Sequence, residues 1–169
     1  MNIFATDKCP IKSAQNMCDT HVVKMVLESA QLLCSYLNEQ GIETPYKSTH
    51  LKHPCSLWLK EIALNRSWLF EHYYALIQEY RFRYGKRHKC NDLLGLFYFN
   101  FYFEDAIEIL NNSNLKFALA MPDEYKTDCP FQSYKNYYIS KKHSMKREMK
   151  WTNRQPPEWF KFEEKERIK

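Results

Sequence analysis

Glycine is nearly missing from this sequence: Gly41, Gly85 and Gly95 are the three present in 169 residues. So few positions free to take positive φ argue against a fold rich in tight β turns, and they exclude a glycine-rich loop that cradles phosphates. No apolar run approaches the ~20 residues that a membrane-spanning helix needs, so no membrane association is expected. The opening MNIFATDKCP has neither the basic start nor the apolar stretch of a secretory leader. Six cysteines are present (Cys9, Cys18, Cys34, Cys55, Cys90 and Cys129), but no two have CxxC spacing. They read as reduced thiols in a cytoplasmic protein, in the host cytoplasm if the chain is viral. HExxH and Ser-His-Asp arrangements are also missing. The expectation is therefore of a protein with no metal site and no cofactor.

What is abundant is aromatic: 12 Tyr and 11 Phe help to bring rings to 16% of residues. A domain this size cannot bury so many rings with every hydroxyl satisfied, so some belong to the surface or to a cleft. A hydrophobic fraction of 44% supports one core. The net charge of +5 suits a polyanionic partner.

Helical periodicity dominates. A helix is expected over Ser13 to Asn38, with Asp19 restarting it after a kink and Gly41 closing it. A polar loop follows over 42–53, then a helix from Pro54. Asn65 is expected to cap the next helix, which carries Leu69, Tyr73, Leu76, Ile77, Tyr80 and Tyr84 in one stripe and stops at Gly85. The segment NDLLGLFYFNFYFEDAIEILNN fits a buried helix or a β segment, since FYFNFYF is rich in aromatics, and Ala106, Ile107, Ile109 and Leu110 favour the helix; 113–130 reads as loop and FQSYKNYYISKKHSMKREM as a last helix. Residues 163–169 read as a solvated tail. The fold class expected is all-α: one compact helical domain over 1–169, as a monomer or small homo-oligomer.

Three clusters carry possible chemistry. In CDTHVVKMVLESAQLL, at 100° per residue, His21, Lys24 and Glu28 share one side. Val22, Val23, Val26, Leu27, Ala30, Leu33, Cys34 and Leu37 gather on the other. Met25 and Leu32 share the polar side, which favours a cleft wall where a His and a carboxylate act as an acid/base pair. A solvated face with a Lys24–Glu28 pair fits the same spacing. Tyr46, Lys47, His50 and His53 form a second cluster, suited to an anion. Arg81, Arg83, Lys86, Arg87 and His88 form a third, interleaved with Phe82 and Tyr84, so that rings can stack on bases while cations meet phosphates. Cations at a helix C-terminus give the same pattern. Lys141, Lys142, Lys146, Arg147, Lys150 and Arg154 fit either a ligand surface or an ordinary helix exterior.

The words MNIF, CDTHVVKMVLESAQLL, YKSTHLKHPC, YRFRYGK, MPDEYK and PPEWF make the whole chain resemble a family of small uncharacterised phage and bacterial proteins. Asp19 and His21, followed seven residues later by Glu28, are similar to a motif of the pyrimidine-dimer DNA glycosylases of the endonuclease V type. So are Pro157, Trp159, Phe160, Lys161 and Phe162, and the stretch from His53 to Arg66. This resemblance implies a small all-α DNA-repair enzyme, an N-glycosylase with abasic-site lyase activity and no cofactor. An amine at the start of the chain, on Met1 in the sequence as it stands, would attack the deoxyribose C1′ and form an imine. Glu28 would stabilise the cationic sugar and move protons, with His21 and Lys24 shaping the site. Arg81, Arg83, Lys86, Arg87, Trp159 and Lys161 would contact DNA. The sequence departs from that family in having Asn2 after Met1 where the family has Thr. Leu27 and Ser29 flank Glu28 where the family has arginines. The alternatives are a phage enzyme or binder of small nucleotides acting against host defence, with 46–53 and 86–89 clasping phosphates, and a non-catalytic nucleic-acid-binding module.

Overall fold

The computed structural model describes residues 1–103 and 106–161. The fold is all-α, and no strand occurs among the described residues. The helices are α1 (Pro10–Asn16), α2 (Asp19–Glu39), α3 (Pro54–Glu61), α4 (Ala63–Tyr84), α5 (Leu94–Phe101), α6 (Ala106–Asn112) and α7 (Pro130–Ser144), with 3-10 turns at Lys89–Leu93 and Asp123–Tyr125. Proline opens α1, α3 and α7, where its missing N–H costs no helical hydrogen bond and its φ is already set.

Helix α4 is the axle. Its 22 residues span about 33 Å, and α1, α2, α3, α5 and α6 all pack on it. Trp68, Leu69, Phe70, His72, Tyr73, Leu76 and Ile77 are buried on successive sides, so the helix has no single apolar face. The polar ends of its large rings find partners: the Trp68 indole donates to the Lys8 carbonyl at 2.8 Å, and the Tyr73 hydroxyl to the Cys90 carbonyl.

Both expected glycine stops occur. Gly85 takes φ 64° and its N–H returns to the Arg81 carbonyl. Gly41 takes φ 79°, and the Ile42 N–H reaches the Leu37 carbonyl at 3.0 Å. Other expectations are corrected. The first helix starts at Pro10 and breaks completely at Met17–Cys18. Asp19 does restart the helix, as the first residue of α2. Asn65 lies inside α4 and donates its amide to the Trp58 carbonyl at 2.7 Å, tying α3 to α4. The aromatic segment is not one buried helix but a 3-10 turn, α5, an interruption at Tyr102–Phe103, and α6. Helix α5 buries Phe97 and Phe101 and leaves Phe99 90% exposed; with the interior already filled by α4's rings, the surplus stays outside. Phe162 and the tail 163–169 lie outside the described residues.

Residues 150–160 strap the helices together. The Lys150 carbonyl accepts the Asp19 N–H at 2.8 Å, and the Trp151 indole donates to the Asn16 carbonyl at 3.0 Å. The Asp19 carboxylate accepts the Thr152 N–H and hydroxyl, at 2.9 and 2.7 Å. Arg83, buried, donates to Asp19 at 3.0 Å, to Glu79 at 3.1 Å, and to the carbonyls of Met17 and Gln15. Arg154 grips Glu79 from the strap side.

Removing one partner of a buried ion pair strands the rest, at about 3–5 kcal/mol. Arg83→Ala should therefore lower the unfolding free energy by about that amount in urea titration, whereas Arg81→Ala, on the exposed side, should stay within about 0.5 kcal/mol.

Candidate functional site

The exposed strip of α2 comprises Thr20, Val23, Lys24 and Leu27, with Glu28 and Gln31 half-buried along its edge. His21, Met25 and Leu32 are buried. The helix is therefore rotated from the sequence expectation: His21 turns in, and Val23 and Leu27 turn out. The cause is a second cover that periodicity cannot see. While α4 holds one flank of α2, the N-terminal segment and α7 hold another. The Phe4 and Tyr138 rings each lie 5.0 Å from the His21 imidazole.

His21 Nδ1 lies 2.8 Å from the Tyr138 hydroxyl and 3.4 Å from Cys18 Sγ. Burial lowers its pKa to about 4, with the charges of Lys24 and Lys141 adding to the effect and Glu28 opposing it. It is thus a neutral ring packed at the foot of the site, within the fields of two lysines and the acid.

Glu28 is the centre of what faces outward. One carboxylate oxygen accepts the backbone N–H of Asn2 at 3.0 Å. The other meets Lys24 Nζ at 3.2 Å, and the side chains are 13% and 64% exposed respectively. Asn2 is pinned in place: its amide donates to the Ala120 carbonyl at 2.8 Å, and its Oδ1 accepts the N–H groups of Ile3 and Phe4, each at 2.8 Å. The sequence gives little hint of this pairing, since Asn2 and Glu28 are 26 positions apart.

His53 stands nearby. Its Nδ1 accepts the Cys55 N–H at 3.2 Å and so caps α3. Its pKa is lowered by burial, then by the Met1 ammonium and His50, with Glu28 opposing. His88 repeats the device, accepting the Cys90 N–H at 3.1 Å; burial lowers its pKa and the Val23 carbonyl opposes. In both, an occupied Nδ1 leaves the proton of the neutral ring on Nε2.

The cations divide by burial. A cavity of about 660 Å³ beside α2 is lined by Lys24, Arg147 and Lys150, by the carboxylates of Asp19 and Glu148, and by Thr20, Val23 and Tyr84; Glu148 pairs with Lys150 at 3.4 Å. A second, of about 360 Å³, is lined by Arg81, Lys86, Arg87 and His88. Tyr84 of the first and Gly85 of the second are adjacent at the end of α4. Arg83, assigned to DNA on sequence grounds, is inside the protein instead, its guanidinium consumed by helix contacts. Tyr46 also points inward, its hydroxyl 3.4 Å from Cys90 Sγ, a hydrogen bond that with burial pushes its pKa up to about 12. Lys47 and His50 are exposed on the loop. Trp159 is half-buried edge-on to Tyr138 at 6.0 Å, and Lys161 is exposed. Among the described residues no group of three or more His, Cys, Asp or Glu is placed to hold a metal ion.

His21 and the wholly buried His72 both have pKa values lowered to about 4 from 6.5. The unfolded chain then binds more protons between those values, so stability is full above pH 6.5 and falls as pH drops toward 4. Each histidine contributes about 3 kcal/mol to that fall. His21→Gln or His72→Gln should flatten the pH dependence of the unfolding free energy by about half.

A family model described as Pyrimidine dimer DNA glycosylase matches residues 1–92. That span includes Asn2, Glu28, His53 and the Arg81–His88 run. No match is found among curated proteins or solved structures.

Proposed function

The chain belongs to the pyrimidine dimer DNA glycosylase family, and from that membership we propose that it excises a damaged pyrimidine from DNA and then cleaves the strand through an imine formed on its own N-terminal nitrogen. The observation that carries this reading is the 3.0 Å hydrogen bond between the Asn2 backbone nitrogen and Glu28. Removal of Met1 would turn that nitrogen into a free amine already held against a carboxylate. With Met1 retained, the amine sits one residue earlier in the chain, about 3.8 Å away by Cα spacing.

In the proposed reaction the neutral amine attacks C1′ of the lesion nucleotide. The C1′–N bond breaks, its electron pair leaves with the base, and the base takes up a proton. The nitrogen then loses a proton and the C1′–O4′ bond breaks, its electron pair leaving on O4′, which takes up a proton; the ring-opened iminium so formed acidifies the C2′ hydrogen. Loss of that proton and departure of the C3′ oxygen with its electron pair, on the leaving phosphate, cut the strand. Glu28 beside C1′ opposes the positive charge that grows on the sugar and accepts or returns the protons. Lys24 fixes one carboxylate oxygen and leaves the other directed at the amine. No step calls for a metal or cofactor. Lys24, Arg147 and Lys150 of the first cavity, with Arg81, Lys86 and Arg87 of the second, supply phosphate contacts.

Borohydride reduces an imine to a stable amine, so trapping on ultraviolet-irradiated duplex DNA reads the chemistry directly. The wild type should give a covalent adduct mapping to Asn2 in a chain lacking Met1. Glu28→Gln should lower kcat by about 10²–10⁴-fold and leave Kd for DNA nearly unchanged. No adduct, with the base still released, would replace the amine by water as the nucleophile. Binding should weaken with salt at a log–log slope near −5 if about six phosphates are contacted; a flat response with stabilisation by mononucleotides would favour a small-nucleotide ligand instead.

A further inference from the structure

We propose that Glu71, walled by tyrosine rings of α4 and α5, is the centre of a second binding site, one that takes a small organic cation of the alkylammonium class. A cavity of about 320 Å³ is lined by Phe70, Glu71 and Tyr74 of α4, Leu94 and Tyr98 of α5, and Tyr102 just beyond it. None of these six lines either of the cavities that carry Lys24 and Arg81. The rings are ordered among themselves: Tyr98 and Tyr102 stack at 4.4 Å, and Phe70 meets Tyr98 edge-on at 6.4 Å.

Glu71 is the unexplained group. It is 8% exposed, yet among the described residues its carboxylate has no hydrogen bond and no ion pair. Glu79, two turns along the same helix and equally buried, is held by Arg83 and Arg154. Burial raises the Glu71 pKa, and no neighbouring cation opposes it. A buried acid without a partner costs stability, so its presence points to a partner that arrives from outside.

The surroundings specify that partner's charge and size. A further cavity, of about 600 Å³, shares Glu71 and Tyr102 and adds Glu108. No Lys, Arg or His lines either of the two, in a chain whose net charge is +5. A phosphate would meet only like charge here. An ammonium gains from the carboxylate and from the negative faces of the rings. A primary ammonium can also donate N–H groups to Glu71 while its alkyl chain covers Leu94. The smaller cavity is at the lower end of the size range of ligand pockets, which suits a small amine.

The test titrates the full chain with n-butylammonium chloride at constant ionic strength, followed by calorimetry and by NMR. The wild type should bind it saturably, with Kd of about millimolar order, and the Tyr74 and Tyr98 ring resonances should shift. Neutral n-butanol should bind at least about tenfold more weakly, and Glu71→Gln should weaken the ammonium by the same factor or more, with the melting temperature unchanged or raised. Tyr98→Leu keeps apolar cover but removes a ring; it should weaken binding about threefold or more, and it decides the matter if Glu71→Gln fails to fold. Spermidine and N-acetyl-lysine amide then separate a free polyamine from a protein side chain, the tighter of the two naming the source. The proposal is overturned if butylammonium shows no saturable binding up to about 50 mM, if butanol binds as tightly, or if Glu71→Gln binds as the wild type does.

Discussion

One hydrogen bond organises this molecule's candidate chemistry: the Asn2 backbone nitrogen against the Glu28 carboxylate. A recessed carboxylate needs compensation for the water it loses. Here Lys24 supplies a charge on one oxygen and the peptide N–H a dipole on the other. Neither half of that arrangement is self-supporting. The Asn2 nitrogen is positioned because its own side chain is locked to Ala120 and to the next two backbone N–H groups. Glu28 is positioned because α2 is clamped on several sides.

That clamp explains why the D-x-H…E spacing has unequal meaning. Asp19 joins α2 to the C-terminal strap and to Arg83. His21 is a buried ring under Tyr138 and Phe4. Of the three, Glu28 is the one whose carboxylate meets the N-terminal segment, while Asp19 lines the cavity beside Lys24. The two upstream residues set the height and rotation of the helix that presents it, so a sequence pattern that looks like a catalytic cluster is in large part a mounting.

The helical architecture was legible in the sequence where local chemistry decides it. Gly41 and Gly85 end their helices because they can take positive φ, and Pro54 begins α3; Pro130 opens α7 although 113–130 read as loop. The rotation of α2 was not legible, because periodicity ranks residues by polarity and cannot register a second covering layer such as the N-terminal segment and α7. Two exposed apolar side chains and one buried imidazole resulted. Arg81 and Arg83 were likewise indistinguishable by composition. They lie about 200° apart around α4, so one reaches solvent while the other faces the α1–α2 junction. His53 and His88 read as ligands for an anion; each spends one ring nitrogen capping the turn that follows it.

The family match ends at residue 92, yet the site it contains depends on chain beyond that point. Ala120 receives the Asn2 amide, Tyr138 meets the His21 ring, and residues 150–152 hold the start of α2. A site is a set of distances, and these distances are fixed by the later half of the chain as much as by the matched half. The same region also helps to build the cavity beside Lys24: Lys150 of the strap and Arg147 just before it line that cavity, together with Asp19 and Glu148. Holding α2 in place and shaping the charged cavity beside it are therefore one structural act. Loosening the strap would disturb the carboxylate's geometry and the phosphate-facing surface together.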